Sequence, residues 1–232
     1  MMLRGKLLPT SKPVAERAAE RAIPHPHHRL ESFPDESLVT RQFRLLTNNI
    51  LKDFPRETGG TILFSGVGSD RHVADVAENV ARQLAATLKI GTVALVDGDA
   101  ETRTLTERLA GNGKAGLAEV LQRRLSSDYA LVETAISGMR FLPFGDRREA
   151  RNPISSDTVK AALADLRHVC TYTIVAAGTG LTKLHAMFGR HSDGTYLVVR
   201  LGAADRQDTL AAANHLTRAG ARLLGCVATS VV

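Results

Sequence analysis

The 232-residue chain has no tryptophan, 4% aromatic residues and two cysteines. With so few rings, its core has to be built largely from aliphatic side chains. Two cysteines also exclude the small disulfide-stapled folds. Cys170 and Cys226 lie in or beside strand-like apolar runs, where a free thiol behaves as a small hydrophobe, so both are expected to be reduced core residues. Long apolar runs are missing as well. Thr92 to Val96 and Tyr196 to Val199 fall far short of the roughly 20 residues a membrane-spanning helix requires. The opening Met-Met-Leu-Arg-Gly-Lys is followed by no apolar run and small-residue cleavage site, so no secretory signal is expected and the chain is assigned to the cytoplasm. Net charge is +6 with a pI of about 9.7, yet no more than two Lys or Arg are adjacent. Spread charge of this kind argues against direct nucleic-acid binding, and DNA is not an expected partner.

Size and hydrophobic content suit one substantial domain with a tail. Residues 1 to about 35 hold five of the eight prolines and no periodic apolar face, so they are expected to be a flexible linking or docking arm. The cluster His25-Pro26-His27-His28 lacks the further converging ligands of a metal site and is read as solvated tail. Beyond the arm, Val39, Phe43, Leu46 and Ile50 recur at helical spacing. The apolar run Thr61 to Ser65, the glycine-bearing loop Gly66-Val67-Gly68-Ser69-Asp70, and an amphipathic segment with Val73, Val76, Ala77, Val80 and Leu84 on one face come next in order. Strands are predicted at 92–96, 172–176, 195–199 and 223–227, with a strand end at 141–143. Helices are predicted over 156–168 and 207–219. Apolar strands alternating with helices imply an α/β, doubly wound, mostly parallel sheet. Ligands in such a sheet bind beyond the carboxyl ends of the strands, which selects the loops 66–75, 97–103 and 176–182.

A working P-loop surrounds phosphates with backbone N–H groups, neutralises them with a lysine and holds Mg²⁺ through a Ser or Thr hydroxyl. Here Gly66, Gly68 and Ser69 supply the loop, while Arg71, His72 and Arg103 are the candidate cations for a nucleotide; the alternative is plain surface charge. Asp97 and Asp99, at the end of the second strand, are candidate catalytic and Mg²⁺-binding carboxylates; the alternative is that Asp97 ends its strand and caps the next segment.

Several ordered motifs resemble the bacterial tyrosine kinases of capsule and exopolysaccharide synthesis, a branch of the MinD/ParA-like P-loop ATPases. Arg41 to Ile50 resembles the leading helix E-x-F/Y-R-x-L-R-T-N-I, and Asn79-Val80-Ala81 matches N-L-A after the P-loop. Val93 to Asp99 matches V-L-L-V-D-x-D, Gly116 to Leu121 resembles G-L-x-x-V-L, Phe141 to Gly145 resembles f-L-P-a-G, and Asn152-Pro153 matches N-P. Ser192 to Arg200 and Ala219 to Gly225 resemble the last two strands. The resemblance implies the α/β P-loop fold, an ATP-dependent tyrosine kinase, Mg-ATP as cofactor, Asp97 and Asp99 at the metal, and a membrane chain-length regulator as partner.

Measured against that family, key residues are replaced. His72, Val73, Ala74 and Asp75 stand where it has G-K-S-T, and no lysine lies between Lys52 and Lys89. Ala176 stands where the hydrolytic strand has Asp, and Arg41 and Thr47 stand where the ring-forming motif has Glu and Arg, leaving Arg44. The chain ends at Val232 without a tyrosine cluster. The expectation is therefore a non-catalytic, kinase-like protein of polysaccharide synthesis or export, acting by protein–protein contact, at the inner membrane if its partner is there, with no cofactor and with a homo-oligomer left open. The alternatives are an active kinase or ATPase using Mg-ATP through a non-standard loop, and a ParA-like DNA-associated protein.

Overall fold

Two hydrophobic faces share one sheet, and strand periodicity explains how. In β1 (Gly60–Val67), all eight residues are buried; Ile62 and Phe64 point to one face and Leu63 to the other. β2 (Val93–Asp97) and β5 (Tyr172–Thr179) repeat the alternation with Leu95 and Ile174 against Val96 and Val175. Strands buried on both faces need helices on both sides.

The computed structural model describes residues 38–67, 71–88, 90–110, 113–149, 152–179 and 182–230. The arm of residues 1–35, with its histidine cluster, and the loop positions Gly68 and Ser69 lie outside them. Residues 38–232 group as one unit. α1 (Leu38–Asp53) and α2 (Arg71–Thr87) cover the first face, where Val73, Val76, Ala77, Val80 and Leu84 are essentially inaccessible. α5 (Ser156–Val169) and α6 (Lys183–His191) cover the second, with Val159, Leu163, Leu166 and Phe188 buried. Between them in sequence come a π-helical turn Thr106–Ala110, the short helices α3 (Leu117–Leu121) and α4 (Ser127–Ala130), and strands β3 (Val132–Glu133) and β4 (Met139–Leu142). β6 (Gly194–Arg200), α7 (Arg206–Arg218) and β7 (Leu223–Thr229) complete the unit. The later helices start on side-chain caps: Ser155, Thr182 and Asp205 each accept from the backbone N–H three residues on.

The seven strands run β3-β4-β2-β5-β1-β6-β7, all parallel except the β3–β4 pair. The sheet is thus the expected doubly wound, mostly parallel one. From β1 the chain moves out to β2 on one side, then returns through β5 and crosses to β6 on the other. That puts the topological switch beside the carboxyl end of β1.

Two expectations change. Cys170 is buried, but Cys226 is exposed, because it sits on β7, an edge strand paired on one side and thinly covered by helix. The 66–75 segment is not one loop: Gly66 and Val67 belong to β1, and Arg71 already starts α2. α6 escapes the sequence reading because it is nine residues long and contains Gly189. That glycine allows close packing, since a Cβ there would lie 2.9 Å from the Cβ of Ala221. Among the described residues no helix is long and apolar enough to cross a membrane.

Candidate functional site

The carboxyl ends of β1, β2 and β5 meet the first turn of α2 and the segment 97–106. Val73, in that first turn, is fully buried in the core. It packs so closely on β1 that a Cβ at Gly66 would come within 2.5 Å of its Cγ2. Ala74 is buried, and His72 is partly exposed. Asp75 points outward to Arg108, whose Nη1 donates to Oδ1 at 2.7 Å, and the same guanidinium pairs with the buried Glu78. Arg82 grips Glu78 from the other side. These ion pairs tie the π-helical turn to α2.

Asp97 ends β2 and is 1% exposed. Its Oδ2 accepts from both the backbone N–H and the hydroxyl of Thr106, each at 2.7 Å, and its Oδ1 accepts from the N–H of Asp99 at 3.2 Å. The Thr106 hydroxyl in turn accepts from the N–H of Phe144 at 2.8 Å, linking the ends of β2 and β4. Asp99 accepts from the N–H groups of Glu101 and Thr102 and from the Thr102 hydroxyl. Its carboxyl rests on the backbone of Gly178, where a Cβ would lie 2.5 Å from Cγ; with φ of +66° that position suits glycine alone. What remains between Ala74, Asp97, Asp99, Thr104, Ala176 and Gly178 is a cavity of about 10 Å³. That is room for about one water molecule.

The structure thus brings Asp97 and Asp99 together, while Gly66 lies against Val73, Gly178 and Thr179. The side chain of Arg71 lies outside the described residues. Arg103, at a left-handed φ of 52°, turns its guanidinium to the carbonyl of Gly145, 3.3 Å from Nη1. Sequence reasoning missed Thr106, Gly178 and His185. The alternation Thr102, Thr104, Thr106 after the aspartates was a readable signal for the first; nothing flagged His185. This histidine is 5% exposed beneath the site, its Nδ1 is 2.6 Å from the Thr182 hydroxyl, and burial pushes its pKa down against the pull of Asp99. On α1, Arg41 and Arg44 are exposed, whereas Thr47 is buried.

Burial pushes the Asp97 carboxyl up to about 6 from an ordinary 3.8, with the charge of Asp99 adding to the rise and bonds from Thr106 and Asp99 opposing it. The folded protein therefore holds this proton more tightly than the unfolded chain does. Stability from this group is greatest at low pH and drains away as pH rises from about 4 to about 6. Between pH 7.5 and pH 4.5, the wild type should gain about 2 kcal/mol relative to Asp97→Asn, whose amide does not titrate. Urea unfolding of both proteins at the two pH values measures this, and an equal pH response would refute it.

No protein-family model matches the chain, and no curated protein matches it in sequence. Solved structures do resemble it. The fold is that of the P-loop NTPases: MinD from Pyrococcus horikoshii OT3, complexed with Mg-ADP, superposes with a TM-score of 0.56 at 20% identity, over 72% of this chain and 69% of that one. More of the chain is shared with tyrosine kinase domains. The BceF tyrosine kinase domain gives 0.72 at 22% identity, covering 87% of this chain and 81% of its own. The kinase domain of the Escherichia coli tyrosine kinase ETK gives 0.71 at 16% identity, covering 83% and 75%. The fold is therefore the one used by bacterial tyrosine kinase domains.

Proposed function

We propose that this protein is a non-catalytic, tyrosine kinase-like component of exopolysaccharide or capsule synthesis or export, working by contact with a membrane chain-length regulator or another export component. The observation that carries this reading is the 10 Å³ cavity at the carboxyl ends of β2 and β5, with its carboxylates already engaged. Among the described residues that space has the size of about one water, far below a triphosphate with Mg²⁺. The lysine position is filled by the buried Val73, Ala176 offers no carboxylate, and the oxygens of Asp97 and Asp99 accept from the protein's own donors. Phosphoryl transfer depends on several cationic groups acting together, and losing three of its elements removes far more than one compensating side chain restores. What the site does instead is structural: Asp97 and Thr106 hold the ends of β2 and β4 together.

If contact is the activity, the carboxylate is dispensable in the cell. A strain carrying Asp97→Asn should make polysaccharide at the wild-type level while a deletion strain does not, with protein abundance checked by immunoblot. Loss of polymer in the Asp97→Asn strain at normal abundance would sink the reading and favour the active enzyme.

A further inference from the structure

The two edges of the sheet are built differently. At one, β3 is two residues long and its Glu133 pairs with Arg140 of β4, so shortness and charge blunt it. At the other, β7 runs for seven residues without a charge or a proline, and among the described residues no strand pairs with its outer side. A register shift near its start leaves Leu224 unpaired; from Gly225 to Thr229 the strand stays in continuous register with Tyr196 to Arg200. An open edge of this kind is a template for another strand, and natural proteins normally protect it with charge, proline or a cover.

The ladder fixes which groups are free. The carbonyl of Thr229 accepts from the N–H of Leu201 on the β6 side at 2.8 Å. Alternation therefore turns Val227 and Thr229 towards β6, and the N–H and C=O groups of Cys226 and Ala228 outward. Cys226 and Ala228 are exposed, although their neighbours on β6, Leu197 and Val199, pack under Ala212 and Leu216 of α7. The helix thus stops short of the edge. Leu201, bonded to the end of β7, is 61% exposed and adds apolar surface there.

We propose that β7 pairs antiparallel with β7 of a second copy of this chain, joining two seven-stranded sheets into one. A twofold axis at Val227 sets Cys226 of each copy against Ala228 of the other, so that the outward N–H and carbonyl groups of both residues are all used. Charge selects this partner. The chain carries +6, so two copies repel wherever their charged surfaces meet, and Gly225–Thr229 offers them a contact without any charge. Five residues from each copy make a small interface, which implies a weak and reversible dimer. The edge is separated from β2 and its carboxylates by β5, β1 and β6, and it does not depend on the functional reading above.

Sedimentation velocity of the full chain from about 1 µM to about 500 µM tests it: a shift from monomer to dimer is expected, with a Kd of about 10–100 µM. In the dimer the two Cys226 side chains lie on one face at a diagonal of about 7–8 Å, so a bismaleimide of that reach should link Cys226 to Cys226, read by peptide mass spectrometry. Ala228→Lys, which puts a charge at an exposed edge position, should unfold at the wild-type urea midpoint at low protein concentration and stay monomeric throughout. Ala228→Pro, which removes one outward N–H, should weaken the dimer about tenfold or more. Monomer up to about 500 µM, as expected if only another protein's strand takes this edge, would overturn the proposal. So would an assembly larger than a dimer, a dimer whose Cys226 residues do not link, or undiminished dimer in both variants.

Discussion

Val73→Lys is expected to destabilise the fold by about 3 kcal/mol or more and to leave ATP turnover undetectable. In a working P-loop the lysine at this point reaches into a phosphate-sized hollow, but Val73 is fully buried and fills the space against β1. A lysine there must either bury its ammonium without a partner or displace the start of α2. For a domain of this size the loss corresponds to a fall in melting temperature of about 6–12 °C by thermal unfolding. Turnover would still lack its carboxylate, because Ala176 pairs in register with Asp97 and is itself buried in the sheet. Measured ATP hydrolysis in this single variant, or unchanged stability, would contradict the account.

Thr106→Val carries the second large effect, about 2–4 kcal/mol of stability, read from urea unfolding. The substitution keeps shape and β-branching, so packing is little disturbed. It removes one hydroxyl that donates to the buried Asp97 carboxylate and accepts from the N–H of Phe144, leaving two buried polar groups short of a partner. The backbone bond from Thr106 to Asp97 stays. Under the structural reading, the cost should therefore fall on folding. An enzyme that kept the Asp97 charge only for a metal would show little loss of stability on this substitution.

These predictions rest on details the sequence carries unevenly. The framework was legible because its signals are periodic: the apolar run of β1, the one-sided stripe of α2 and the run ending at Asp97 each state their own burial. Short elements carried no such period. α6 is shortened and broken by Gly189, and α3 and α4 are too brief to show a face. Burial of the edge was hidden too, since Cys226 reads as a core thiol until β7 turns out to be the last strand. At the site, the identities from His72 to Asp75 and at Ala176 could be read directly as differing from the motifs of the family the sequence resembles. What could not be read was that Thr106, nine residues on from Asp97, completes its hydrogen bonds, or that Asp99 leans on Gly178. Such partners are fixed by how the loops return over the sheet, and no spacing rule announces them.

The most direct measurement is a titration of the purified protein with a fluorescent ATP analogue in the presence of Mg²⁺. With a one-water cavity and both aspartates engaged, no saturable binding is expected up to about 1 mM, a concentration at which even modest nucleotide sites fill. Saturable binding at micromolar concentrations that disappears in Asp97→Ala would contradict the account and restore Asp97 to a metal-binding role.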